Sequence, residues 1–133
     1  VIHKITHIGV AVKDIEEAER FYTEVLSLEV HDREQLKEIK ASFIPVGDTA
    51  IELLQSTTPE GVINKFIAKR GEGVQHIAYQ VDNIEKALED LKAKGVALID
   101  EKPRKGAHNS KVAFVNPKST HGILIELVEP EKH

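Results

Sequence analysis

Two apolar stretches, residues 5–12 and 74–81, read as strands, and each runs into a segment whose apolar residues recur at helical spacing. The first helix opens at Asp14, whose carboxylate suits the free amides of a first turn, with Glu17 three residues on as its reciprocal partner. Its apolar positions are Ile15, Ala18, Phe21, Tyr22, Val25 and Leu26. The second opens at Asn83, runs through Ile84, Ala87, Leu88 and Leu91, and stops at Gly95, a residue suited to a left-handed cap. Strand-like stretches follow at 28–31, 39–46 and 50–55, and again at 96–99, 111–115 and 122–128. Pro45 to Thr49 and Asn116 to Ser119 supply turns between the last two strands of each set. A further helix is expected over 58–70, with Val62, Ile63, Phe66 and Ile67 on its apolar side and Gly71 at its end.

The two sets are copies. Laying the twelve residues from His7 over the twelve from His76 gives six identities: His7/His76, Ile8/Ile77, Val12/Val81, Ile15/Ile84, Glu16/Glu85 and Ala18/Ala87. Further on, 50–54 overlies 124–128 and brings Glu52 onto Glu126. The His-to-Glu separation is 45 residues in one copy and 50 in the other. A period of about 70 with two copies does not suit a solenoid. It predicts one pseudo-symmetric α+β domain over 1–133 made of two tandem βαβββ modules: module one over 1–57, a connecting helix over 58–71 and module two over 72–133.

Composition adds exclusions. The chain has 133 residues, 41% hydrophobic and 30% charged, with a net charge of −4, which argues against a nucleic-acid binder. It has no cysteine, so any metal must be held by nitrogen and oxygen, and a reducing cytoplasmic setting is expected. No apolar run approaches the ~18 residues of a membrane span, and the first residues lack a signal-peptide pattern. From Lys102 to Lys118 the chain carries Lys102, Arg104, Lys105, Lys111 and Lys118 and no acid, a positive segment suited to an anionic ligand.

Strand parity decides which side chains share a face. His7 falls opposite Ile8, Val10 and Val12, with Gly9 and Ala11 beside it; His76 falls opposite Ile77, Tyr79 and Val81. Glu52 lies opposite Ile51 and Leu53, and Glu126 opposite Ile125 and Leu127. A lone His at a strand start, or a Glu between apolar neighbours, ordinarily marks the wet side of a sheet. The recurrence of both in both copies points instead to His7, Glu52, His76 and Glu126 as one divalent metal site, since two imidazoles and two carboxylates suit cobalt, manganese, nickel, zinc or ferrous iron.

The paired His and Glu on a duplicated βαβββ unit resemble the vicinal oxygen chelate superfamily, which includes glyoxalase I, the extradiol dioxygenases and the methylmalonyl-CoA epimerases. The resemblance covers nearly the whole chain and is closest to the epimerases. It rests on the residues from Ile5 to Val12, from Phe66 to Ala78, from Asp100 to His108, and on Asn116-Pro117-Lys118-Ser119 leading to Gly122 through Leu127. It implies a curved mixed sheet around a metal site, with His7, His76, Glu126 and Glu52 as ligands. The cofactor is one divalent ion, cobalt foremost, with manganese, nickel or zinc as alternatives. The implied reaction interconverts the epimers of methylmalonyl-CoA through a metal-stabilised enolate, with Glu126 and Glu52 as acid/base residues. Lys102, Arg104, Lys105 and Lys118 would hold the acyl-CoA substrate. A homodimer without nucleic-acid or membrane partners is also implied. Glu52 stands where some epimerases carry Gln and where glyoxalase I carries Glu, which makes a glyoxalase I-type isomerase the alternative enzyme. A non-catalytic ligand-binding protein of the same fold is the alternative of another class. Ala41 occupies a position at which some epimerases carry a catalytic Glu.

Overall fold

Strand parity and helix spacing together require each copy to lay one helix across the apolar face of its own sheet, and the computed structural model, which describes residues 2–132, does so in both. The chain groups into two compact units, one of residues 7–75 and one in which residues up to Thr6 join those from His76 onward.

The first unit contains β1 (Ile2–Ala11, from His7 on), α1 (Ile15–Arg20), β2 (Asp32–Leu36), β3 (Ile39–Val46), β4 (Thr49–Ser56) and α2 (Val62–Arg70). Its strands lie in the order β2-β3-β4-β1, antiparallel except for the parallel pair β1 and β4. Val12, Ile15, Ile44 and Leu53 form the buried core between sheet and helix, with Val10, Ala18, Tyr22 and Ile51 packed against them. Asp14 caps α1 as expected, accepting from the amides of Glu16 and Glu17. Gly47 closes the β3–β4 hairpin at φ 61°, a left-handed conformation that costs glycine little.

The second unit contains β5 (Gly73–Val81, from His76 on), α3 (Ile84–Ala93), β6 (Arg104–Lys105), β7 (Lys111–Val115) and β8 (Ile125–Glu129). The order β6-β7-β8-β5, with β5 parallel to β8, repeats the first unit. Val81, Ile84, Leu88, Ala113, Val115 and Leu127 form its core. Asn83 caps α3 by accepting from the amide of Lys86, and Gly95 follows its end at φ 79°. Among the described residues no helix is long and apolar enough to cross a membrane.

Four local expectations are corrected. Residues 28–31 are not a strand: Leu28 and Val30 pack on the core from an irregular segment, and the strand begins at Asp32. Residues 96–99 likewise cover the core of their unit, with Leu98 forming one isolated bridge to Val115. The connecting helix starts at Val62, where the Ser56 hydroxyl accepts from the amides of Ile63 and Asn64 in place of a side-chain cap from Gly61. The last turn of the first helix is a wide π turn over Phe21–Val25, with the Leu26 amide bonded to the Phe21 carbonyl. One extra residue in a turn rotates the residues beyond it by about 100°, so Val25 and Leu26 leave the core-facing side; both are exposed, as is Phe21 at the start of the turn.

Candidate metal centre

The site residues are placed by sheet register. In the first unit Gly9, Glu52, Phe43 and Asp32 are successive Cα partners across β1, β4, β3 and β2. Directly opposed residues share a face, and two residues back along β1 on that face is His7. Its Nε2 lies 3.2 Å from Glu52 Oε1. In the second unit Ala78, Glu126 and Phe114 form the matching row across β5, β8 and β7. His76 stands two residues before Ala78, with its Nε2 3.0 Å from Glu126 Oε1. The small residues Gly9 and Ala78 beside each glutamate leave room for the imidazole to reach it.

This face is not the wet side of an ordinary sheet. His76, Glu52 and Glu126 retain 4%, 5% and 7% of their exposure, and His7 is largely covered. Carboxylates taken out of water need compensating charge or hydrogen bonds. Each unit therefore brings one imidazole nitrogen and one carboxylate oxygen together in a covered setting, which is a donor set fitted to a borderline divalent ion. Without an ion, the same His–Glu contact is a competent acid/base pair.

A third member of each constellation escaped the sequence reading. The Phe43 ring stands edge-on to His7, with centroids 6.4 Å apart and planes at 88°; Phe114 stands to His76 at 5.9 Å and 83°. The signal was present, since Ala41-Ser42-Phe43-Ile44 and Val112-Ala113-Phe114-Val115 occupy equivalent places before the glutamates.

The four basic residues expected to hold substrate do not share one element. Arg104 and Lys105 form β6, Lys102 lies in the bend before it, and Lys118 sits in the short turn Pro117–Ser119, its amide capped by the Asn116 side chain. Arg104 is tied to the constellation of its unit: the guanidinium carbon lies 5.3 Å from the centre of the Phe114 ring, and Asp100 holds it at 3.4 Å. Asp100 is itself fixed by the Phe114 amide at 2.9 Å. Lys105 faces Lys111 across the β6–β7 pair.

The glyoxalase/bleomycin resistance protein/dioxygenase superfamily model matches residues 6–114, and the chain belongs to that superfamily. Its fold is the glyoxalase-type α+β fold of two βαβββ modules. The chain is 36% identical over 132 residues to the uncharacterized protein YqjC of Bacillus subtilis, covering 98% of this chain and 94% of that one. It is 36% identical over 127 residues to the mitochondrial methylmalonyl-CoA epimerase of Bos taurus, covering 93% and 73%. Among solved structures, Streptomyces coelicolor methylmalonyl-CoA epimerase in complex with 2-nitronate-propionyl-CoA aligns with a TM-score of 0.93 at 30% identity, covering 98% of this chain and 96% of that one.

Proposed function

We propose that the chain is a metal-dependent epimerase that interconverts the two epimers of methylmalonyl-CoA. The observation that carries the reading is the His–Glu contact, repeated at equivalent rungs of both units and covered in each. Epimerase relatives and an epimerase structure that holds a CoA ester support it. In this reading His7, Glu52, His76 and Glu126 hold one divalent ion, with cobalt first and manganese, nickel or zinc behind it.

The carbon between a thioester and a carboxylate has a weakly acidic C–H, and the ion, when bound, supplies Lewis acidity for the charge that develops on removing that proton. The protein's own residues do the rest. Glu126 accepts the α-proton, and a second acid/base group returns one to the opposite face; Glu52 is the candidate its equivalent position suggests. Arg104, fixed over Phe114, together with Lys102, Lys105 and Lys118, holds the anionic groups of the substrate. A homodimer, which rests on the family resemblance, and a cytoplasmic setting, which rests on the absence of cysteine, complete the proposal.

The test is α-proton exchange of methylmalonyl-CoA in D2O, run beside turnover of the methylglyoxal–glutathione adduct, the substrate of the alternative isomerase. Metal-loaded protein is expected to exchange the first and leave the second. His7→Ala and Glu126→Gln should each lose bound metal by elemental analysis and lose exchange by roughly two to four orders of magnitude. Exchange that persists in metal-free Glu126→Gln protein would refute the scheme.

A further inference from the structure

The short strand β6 divides its two cations between the faces of the sheet. Arg104 lies opposite Val112 of β7, and Val112 stands two residues before Phe114, which is itself opposite Glu126. Opposed residues share a face, and so do alternate ones. Arg104 therefore falls on the face of the His76–Glu126 contact. Lys105 lies opposite Lys111 and falls on the other face, where the Lys111 ammonium reaches Glu85 of α3 at 3.2 Å.

We propose that Arg104 reads the free carboxylate of the acyl group and so sets substrate specificity, while Lys102, Lys105 and Lys118 are left to the phosphates of CoA. The inference rests on the reaction proposed above. Distance separates the two kinds of anion. The guanidinium carbon is 5.3 Å from the centre of the Phe114 ring, and that centre is 5.9 Å from the centre of the His76 ring. Arg104 is thus no further from the imidazole than those two separations together. The carboxylate is bonded to the very carbon that loses its proton to Glu126, whose Oε1 is 3.0 Å from His76 Nε2. The phosphates begin beyond the pantetheine arm, a chain as long as about four extended residues, or roughly 15 Å.

The setting of Arg104 suits that task. The face of the Phe114 ring attracts the cation and holds it in place. Asp100, anchored by the Phe114 amide at 2.9 Å, faces the guanidinium from 3.4 Å, further than the usual hydrogen bond of about 2.9 Å. It is the one ionic partner of Arg104 among the described residues. Asp100 therefore aims the group without using up its N–H donors. The planar fork that remains matches the two oxygens of a carboxylate, which a lysine ammonium does not.

The experiment titrates metal-loaded protein with methylmalonyl-CoA, with propionyl-CoA, which lacks only the carboxylate, and with free CoA. Wild type, Arg104→Gln and Arg104→Lys are compared, with bound metal and thermal melting recorded for each. Arg104→Gln is expected to keep its metal and its Tm and to bind methylmalonyl-CoA roughly tenfold more weakly or worse, the size of a charge-assisted contact partly screened by water. Its affinity for propionyl-CoA and free CoA should change by less than about twofold. Arg104→Lys, which restores the charge without the fork, should recover part of the loss. Equal weakening of all three ligands in Arg104→Gln would place Arg104 on the phosphates and overturns the assignment, as does unchanged affinity for all three. Wild-type protein that binds metal yet neither binds methylmalonyl-CoA nor exchanges its α-proton overturns the epimerase reading itself, which is a separate outcome.

Discussion

Three residues beyond each site glutamate the chain places another polar side chain, Gln55 in the first unit and Glu129 in the second, and both do the same work. Gln55 accepts from the Ile15 amide at 2.8 Å and Glu129 from the Ile84 amide at 3.0 Å. Each satisfies the first free amide of its module's helix and so ties the helix start to the strand that bears the glutamate. Because Gln suffices in one copy, Glu129→Gln is expected to keep stability within about 1 kcal/mol, while Glu129→Leu, which leaves the amide unpaired, should cost about 2 kcal/mol. Urea denaturation of the two variants measures the difference. The role was not legible in the sequence, where a Glu after an alternating strand reads as solvent-facing. The buried face of His7, Glu52, His76 and Glu126 was legible, because strand parity and recurrence reinforce one another. The edge-on phenylalanines were not, because an apolar residue in a strand has too many ordinary uses.

At the scale of elements, hydropathy found what is buried and missed what is not. β1, β3, β4, β5, β7 and α3 were readable from apolar spacing. β2 (Asp-Arg-Glu-Gln-Leu) and β6 (Arg-Lys) were not, since edge strands carry charge and show no alternation. The apolar segments mistaken for strands at 28–31 and 96–99 are apolar because they cover a core without joining the sheet. Beyond its backbone pairing with β3, β2 is tied to the first helix by an ionic contact. Glu19 on α1 accepts two bonds from Arg33 on β2, at 2.8 and 3.1 Å, and one from the Ser42 hydroxyl on β3. The Arg33 bonds hold the Glu19 carboxyl below its ordinary value of 4.5, against the opposing effect of burial. A depressed carboxyl contributes stability above its unfolded pKa and loses it as pH falls through the folded one. Glu19→Gln should therefore be less stable than wild type at pH 7. The gap should narrow below about pH 4.5 and close once Glu19 is protonated, as thermal melts across a pH series would record.

At the scale of the whole molecule, the duplication was the most legible feature, and the structure adds the strand order that both units share. The consequence for stability is testable through the proposed ion. A ligand at a hundred times its dissociation constant adds about 2.7 kcal/mol to the folded state, which for a chain of this size raises Tm by on the order of 10 °C. Cobalt or manganese should produce such a rise in the wild type, EDTA should reverse it, and His7→Ala should show none.

The grouping of the first residues of β1 with the second unit has a bearing on how the chain acquires its structure. His3 pairs with Asp82 at 2.7 Å, a contact that spans 79 residues. Closing a loop of that length costs entropy that grows with (3/2)RT ln n before any contact repays it. A chain emerging from the ribosome meets the same constraint in time. His3 can find its partner only after Asp82 has been made, whereas the part of β1 from His7 on pairs with β4 and can settle earlier.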